Sequence, residues 1–575
     1  MVEEGYEHSR RWWTLVVLCL SLIIVVVGNT VLNVALPTLV RELHASNSAL
    51  QWVVDAYGLV FAGLLLSAGA IGDRFGRKGA LTAGLLIFGA ASTAAAFSAS
   101  SGQLIALRAV MGIGAALIMP ATLSILTNVF PPHERAKAIA IWAGLAGAGA
   151  AVGPVAAGFL LEHFWWGSVF LVNVPLVLAA RISGRFLVPN SQDPPAEALD
   201  PVGAGLSMVG LGGLLYGIIE GPAHGWKSLA TLGPLLSGLV ILVLFSVWEL
   251  RAEHPMLDLR FFKNRTFAAA TAAINMVFFA MFGTFFLLTQ YLQLVLGYGT
   301  LEAGVRMLPM AFTMMVSAPL SAKFVEKFGS RKVVSTGLLI VGLGLLLLAQ
   351  SDVGTPYWHL VVSLMTMAAG MGLSMAPSTT GIMASLPLRK AGVGSAVNDT
   401  TRELGGALGV AVLGSLLASK FTAALPASVL GLPAPARTAV RASLGGALGV
   451  ARSLPPAVGV PLEAAAKGAY VNAMSVSLVA AATVAVAAAV MVRRFYPDRV
   501  VMHEGQGQPA PEAPAVVAQA PAPAAAGRDS EPVPVGAPAV AQTAPVKGTG
   551  NGHKVNGKGN GSGGVRPFEG TGRER

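Results

Sequence analysis

The chain has 575 residues, 54% of them hydrophobic and only 12% charged, and its mean hydropathy of +0.66 lies outside the soluble globular class. A single cysteine, Cys19, excludes an intramolecular disulfide and a cysteine-based metal site. The formal charge of +11 is gathered in short segments between apolar runs, which is the pattern of a membrane topology signal and argues against a nucleic-acid partner.

Arg10 and Arg11 precede the first apolar run. No small-residue cleavage site follows and the run is long enough to span, so it reads as a retained helix, with Trp12 and Trp13 at the interface. At about 20 apolar residues per crossing, runs beginning near 12, 50, 80, 104, 137, 167, 203, 231, 267, 304, 333, 358, 393 and 469 predict fourteen spans. Connecting segments alternate: those at 73–78, 133–137, 181–185, 251–265, 323–332, 389–390 and 493–494 are basic, whereas 98–103, 221–230 and 351–357 are poor in cations. The positive-inside rule then places both termini in the cytoplasm of a multi-pass inner (plasma) membrane protein.

Laid over itself with a shift of roughly 250 residues, the chain repeats. "GDRFGRK" at 72–78 falls on "VEKFGSRK" at 325–332, and "MGIGAALIMPATLSIL" at 111–126 on "AGMGLSMAPSTTGIM" at 369–383. The predicted fold is all-α and polytopic. It comprises a cytoplasmic N-terminus (1–11), an N-terminal six-helix half (12–188), an inserted helix pair and cytoplasmic linker (189–265), a C-terminal six-helix half (266–494) with an extracellular loop at about 420–468, and a disordered cytoplasmic tail (495–575) rich in Ala, Pro and Gly.

The turn "GAIGDRFGRKGAL" carries Gly69, Asp73, Arg74, Gly76, Arg77 and Lys78. Its glycines permit a tight turn at the membrane face, and Asp73 is placed to cap a helix and to pair with the arginines. The segment resembles the signature of the major facilitator superfamily. The resemblance implies a gating turn that holds the two halves together on the cytoplasmic side in the outward-open state. "LIALRAVMGIGAA" places Arg108 in span 4, where a charge costs a few kcal/mol or more unless it faces a polar cavity or partner. The family carries an arginine tied to proton transfer here, although its usual glutamine partner is Met111 in this chain. Snorkelling to the outer interface is the alternative. "GAAVGPVAAG", with Gly149, Gly153, Pro154 and Gly158, resembles the span 5 motif of the exporters. Small residues four apart allow close helix approach, and Pro154 bends the helix.

"WGSVFLVNVP" (166–175), "DPVG" (200–203) and "GVGSAVNDTTRELGGALGVAVLGS" (392–415) resemble the fourteen-helix drug:proton antiporter branch, so that the likeness covers roughly residues 10–495. "VVVGNTVLNVALP" at 25–37 also fits that branch, except that Gly28 stands where an aspartate is usual. Asp55 is then the acid of interest in the first half. It lies about 14 residues before the cytoplasmic turn, hence about 20 Å from that face at 1.5 Å per residue, level with Arg108 and with Asn29 and Asn33, which share one face of span 1 as cavity lining. A polar cluster of spans 1, 2 and 4 is expected, with Asp55 either exchanging protons, permanently paired to Arg108, or in outer-surface water. In span 13, Asp399, Arg402 and Glu403 share a face; Glu403 is the deeper carboxylate and a second proton or cation candidate, with structural pairing as its alternative.

Enzyme readings find no support: "GHKVNGK" at 552–558 mimics part of a phosphate loop, but Gly559 replaces the required Ser or Thr and no strand precedes it. The expected function is proton-coupled efflux of drugs, antibiotics or other amphiphilic compounds by alternating access. The expected partners are an amphiphilic small molecule, protons and the lipid bilayer, with no metal or cofactor and a monomeric chain. A dedicated exporter of one metabolite, and a transporter-like sensor or scaffold, are the alternatives.

Overall fold

The computed structural model describes residues 2–190, 200–386 and 391–498. The expected tail beyond 498, most of the linker at 191–199 and the basic segment at 389–390 lie outside the described residues.

Within them α-helices joined by short turns and connections make up the chain, and no strand occurs. The N-terminal half comprises α1 (Val2–Leu43), α2 (Asn47–Phe75), α3 (Arg77–Ala96), α4 (Ser101–Val129), α5 (Pro132–His163), the short α6 (Ser168–Leu171) and α7 (Asn173–Leu187). The inserted pair is α8 (Pro201–His224) and α9 (Leu229–Arg251). The C-terminal half comprises α10 (Arg265–Gln290, ending in a π turn at Tyr291–Val295), α11 (Thr300–Arg306), α12 (Leu308–Phe328), α13 (Ser330–Leu348), α14 (Tyr357–Ala384), α15 (Ala391–Ala424) and α18 (Pro456–Phe495). Two short helices, α16 (Ala434–Ala442) and α17 (Leu444–Ser453), precede α18. Serine side chains start several helices by accepting from an orphan backbone N–H, as Ser46 does from Ala49, Ser100 from Gln103 and Ser228 from Thr231.

Thirteen described spans are long and apolar enough to cross a membrane. The fourteenth expected crossing, near 137, falls in α5, a 32-residue helix with side chains partly outside the described set, so the count of fourteen goes one beyond those thirteen. One expected boundary also moves. The first candidate span starts at Arg10, near the expected 12, although helix already begins at Val2; the last helix begins at Pro456 instead of near 469, which leaves a shorter connection that α16 and α17 fill.

The repeat is visible in backbone geometry. Gly76 (φ 112°) and Gly329 (φ 83°) occupy matching turns, α2–α3 and α12–α13, in a conformation that a Cβ disfavours. Matching glycines also let helices close in: a methyl on Gly84 would sit 2.8 Å from the Gly114 carbonyl oxygen, and one on Gly337 2.8 Å from that of Gly370. Leu236, Leu239, Val240 and Val243 of α9 are exposed, as a lipid-facing surface requires.

Alternation of the spans gives the molecule a basic face, bearing the cation-rich connections, and a cation-poor face. Between the halves, the polar contacts among the described residues cluster toward the cation-poor face. Thr300 Oγ1 donates to the Gly158 carbonyl (3.1 Å), Gln293 Nε2 to the Val34 carbonyl (2.9 Å) and Ser415 Oγ to Gln51 Oε1 (3.2 Å). Toward the basic face Lys78 Nζ donates to the Arg185 carbonyl (2.9 Å), Arg11 pairs with Glu134 (3.6 Å) and Arg331 with Asp498 (3.3 Å), each within one half. Among the described residues, the side-chain hydrogen bonds that join the halves therefore lie toward the cation-poor end.

Candidate functional site

Helices α1, α2 and α4 meet around Arg108. The approach is close because Gly112, one turn on, lacks a side chain where a methyl would lie 2.7 Å from the Tyr57 carbonyl oxygen. Arg108 is fully buried, so it does not snorkel. Its Nε donates to the Val53 carbonyl (3.0 Å) and its Nη1 to the Gly28 carbonyl (3.2 Å), and the guanidinium lies 4.3 Å over the Tyr57 ring. Two carbonyl dipoles and an aromatic face are thus its immediate neighbours, while Nη2 has no hydrogen-bond partner.

Gly28 has a structural reason. A methyl here would lie 2.7 Å from Cζ of Phe88, itself completely buried. The phenyl ring of α3 occupies the space an aspartate would need, and the glycine offers Arg108 its carbonyl oxygen in place of a carboxylate.

Asp55 departs from the expected cluster. It is buried, yet it forms no ion pair with Arg108, and neither carboxylate oxygen has a hydrogen-bond partner. It lies one turn from Gln51 and from Gly58, both of which meet α15: a methyl on Gly414 would be 2.7 Å from Gln51 Cδ, and one on Gly58 3.4 Å from Glu403 Oε2. Asp55 therefore belongs to the α2 face at the seam between the halves. The permanent Asp55–Arg108 pair and the water-exposed Asp55 are both corrected by this placement. Asn33 is buried with Oδ1 unpartnered and Asn29 is half-buried; neither bonds to Arg108.

Glu403 reaches across the seam. From α15 its carboxylate abuts Gly58, the neighbour of Tyr57, within electrostatic reach of the Arg108 guanidinium. It is half-buried. On the same face Asp399 and Arg402 are 3.6 Å apart, and Arg402 stacks 5.4 Å over Phe278. Tyr57 and Phe88 escaped the sequence reading. Tyr57 sits two residues from Asp55 and invites notice; nothing local marks Phe88. Among the described residues no three His, Cys, Asp or Glu side chains converge as metal ligands.

The gating turn differs from expectation in one detail. Asp73 does not cap α3, whose N-cap is Gly76 with no side-chain cap; it pairs with Arg77 at 2.6 Å. Arg74 lies over the Phe75 ring (5.5 Å), and Gly69 packs on Pro120 of α4. All of these contacts fall within the N-terminal half.

The span 5 glycines divide their work. Gly149 and Gly153 face α1, where a methyl on Gly153 would overlap Thr30 Oγ1. Pro154 and Gly158 face α11 of the other half: a methyl on Gly158 would lie 2.6 Å from Leu301 Cα, and one on Gly304 would overlap the Pro154 carbonyl oxygen. This seam is backbone against backbone, which only small residues allow.

A model of the Major Facilitator Superfamily matches residues 18–410. The chain is 36% identical over 488 residues to the multidrug efflux pump LfrA of Mycolicibacterium smegmatis, covering 84% of this chain and 96% of that protein. It is 37% identical over 476 residues to the methyl viologen resistance protein SmvA of Salmonella typhimurium, covering 82% and 95%. Among solved structures, a bacterial homolog of the human lysosomal transporter Spinster superposes with a TM-score of 0.59 at 18% identity, over 85% of this chain and 98% of that one, a likeness of fold. With its repeated halves, its paired gating turns and these matches, the chain belongs to the major facilitator superfamily and is a multi-pass membrane transporter, not an enzyme.

Proposed function

We propose that this transporter exports amphiphilic drugs or antibiotics from the cytoplasm in exchange for protons, by rocking of its two halves. The two relatives are described as a multidrug efflux pump and a methyl viologen resistance protein, and each aligns over nearly its whole length. With the basic face assigned to the cytoplasm of the plasma membrane, the hydrogen bonds between the halves toward the opposite face support an inward-open conformation. The chain works as a monomer in the bilayer, with the proton gradient as its driving force and no cofactor.

The observation that carries the coupling is Glu403, a half-buried carboxylate of one half set against Gly58 beside the Arg108–Tyr57 pair of the other. In the inward-open state substrate enters from the cytoplasm and Glu403 gives up its proton, with the guanidinium nearby to balance the anion left behind. Rocking parts the two and exposes Glu403 to the outside, where it takes up the next proton. Asp55, sealed in the outer seam, cannot exchange with the cytoplasm in this state. It ionises only when that seam opens, which makes it a member of the gate.

Everted vesicles energised with an acid interior, a panel of amphiphilic compounds and a pH-sensitive dye test this reading. Substrates are expected to evoke proton release in the parent, none in Glu403→Gln, and a retained though weakened signal in Asp55→Asn. If no compound evokes release in the parent, or Glu403→Gln responds as the parent does, the coupling fails.

A further inference from the structure

The "DPVG" segment begins the inserted pair, away from the Arg108 cluster. Asp200 caps α8, its Oδ1 accepting from the Gly203 amide at 2.7 Å. Its two oxygens also receive the Trp248 indole N–H of α9, each at 3.0 Å. The next residue of α9, Glu249, accepts at Oε2 from the Leu257 amide at 2.9 Å. Both acids are buried, at 8% and 2% exposure.

One oxygen of each acid is turned toward the other. A methyl on Gly203 would lie 2.5 Å from both Asp200 Oδ2 and Glu249 Oε1, so the two carboxyl groups converge on the notch that this glycine leaves. Oε1 is buried without a donor. No described cation pairs with either acid: Arg260 turns its guanidinium to the Leu250 carbonyl (3.3 Å), and Arg251 is exposed. The other charged group facing the pair is Asp258, again an acid, while the first 15 residues of α8 hold no titratable side chain. Two ionised carboxylates converging on one buried notch without a cation repel; one proton between them removes a charge and supplies the donor that Glu249 Oε1 lacks.

The Leu257 amide that Glu249 holds belongs to the segment 252–264 connecting the inserted pair to the C-terminal half. The same segment touches the N-terminal half, where Ser67 Oγ contacts Met256 Sδ at 3.6 Å, one to two turns before the gating turn.

We propose that Asp200 and Glu249 form a carboxyl–carboxylate site that binds a single proton between Oδ2 and Oε1, and that this proton clasps the 252–258 segment to the ends of α8 and α9. Raising the pH at the basic face removes the proton and frees the segment. One proton per opening means the clasped-to-free ratio falls about tenfold per pH unit beyond the midpoint. The site stands whether or not Glu403 couples transport.

The test uses the full chain in a Cys19→Ser background with His254→Cys, an exposed position of the segment, carrying a nitroxide label attached before titration. Spectral mobility is expected to rise reversibly with pH in the parent. Glu249→Gln, whose carboxamide supplies the donor permanently, stays immobile across the range, and Glu249→Ala is mobile throughout. Titration of Glu249→Gln like the parent, a parent that does not titrate, or a Glu249→Ala label as immobile as the parent's would each overturn the proposal. Restored clasping at high pH by sodium or magnesium chloride alone would also overturn it, by showing a metal-cation site in place of a proton site.

Discussion

Restoring the usual acid by Gly28→Asp tests why the chain lacks it. The aspartate Cβ would meet Phe88 Cζ at 2.7 Å, well inside van der Waals contact, so the completely buried Phe88 ring would have to shift within the core. Overpacking of this kind costs about 1–3 kcal/mol. Against it stands one gain: the new carboxylate would lie beside Arg108, whose Nη2 lacks a partner and whose Nη1 already reaches the Gly28 carbonyl. Gly28→Asp alone is therefore expected to lower the midpoint of thermal unfolding in detergent. Phe88→Leu alone is expected to cost about 1–2 kcal/mol as a cavity. The double variant should lose less than the sum, with a coupling of about 1–3 kcal/mol as the acid swings into the vacated space and pairs with Arg108. The assay is a double-mutant cycle on thermal unfolding, repeated at high salt. Additive losses, or a Gly28→Asp variant as stable as the parent, would refute the steric account of the missing acid.

Arg108→Lys keeps the charge but loses the planar group that meets two carbonyls and a ring together. A loss of about 1–3 kcal/mol in thermal stability and near-complete loss of substrate transport are expected, read by thermal shift and vesicle uptake. Gly304→Val would drive a side chain into the Pro154 carbonyl and open the outer seam at a cost of about 1–3 kcal/mol. Its signature is faster labelling, from the cation-poor face, of a cysteine placed at Leu301 in a Cys19→Ser background; unchanged labelling would count against the seam. Gly76→Ala, at φ 112°, should destabilise by about 1–2 kcal/mol, whereas Gly79→Ala nearby, with open space around it, should be neutral.

The parts of this fold that depend on periodicity and on residue type at a turn were legible from the sequence. Apolar run lengths gave the spans, the repeat gave the two halves, and the glycine shared by "DRFGRK" and "EKFGSRK" marked two turns that both require positive φ. Relations between helices were legible only in depth. Counting residues from the membrane face put Asp55 level with Arg108, but each residue also rotates the helix by about 100°. Two positions along α2 therefore separate Asp55, on the α15 face, from Tyr57, on the Arg108 face. Depth came from rise, and azimuth needed the packing. In the same way Phe88 lies 60 residues from Gly28, and no local pattern joins them.

That azimuth changes what the missing acid means. A carboxylate at position 28 would sit in the same half as Arg108 and stay beside it however the halves move. With glycine there, the carboxylate whose charge reaches Arg108 is Glu403, on the opposite half. Asp55, though closer in sequence, faces the seam without a partner. Charge balance at Arg108 thus depends on how the halves are arranged, because Glu403 reaches it only across the α2–α15 contact. On the proposed mechanism this is how proton loss and rocking are joined: proton loss is favoured in this arrangement, where the guanidinium balances the anion, and once rocking has parted the two the carboxylate left without its partner takes up the next proton outside. The double variant of Gly28 and Phe88 would return a permanent partner to Arg108 and remove its need for Glu403. It is therefore expected to weaken substrate-evoked proton release even where it restores stability. A double variant that regains stability and keeps full coupling would show that Glu403 works without Arg108.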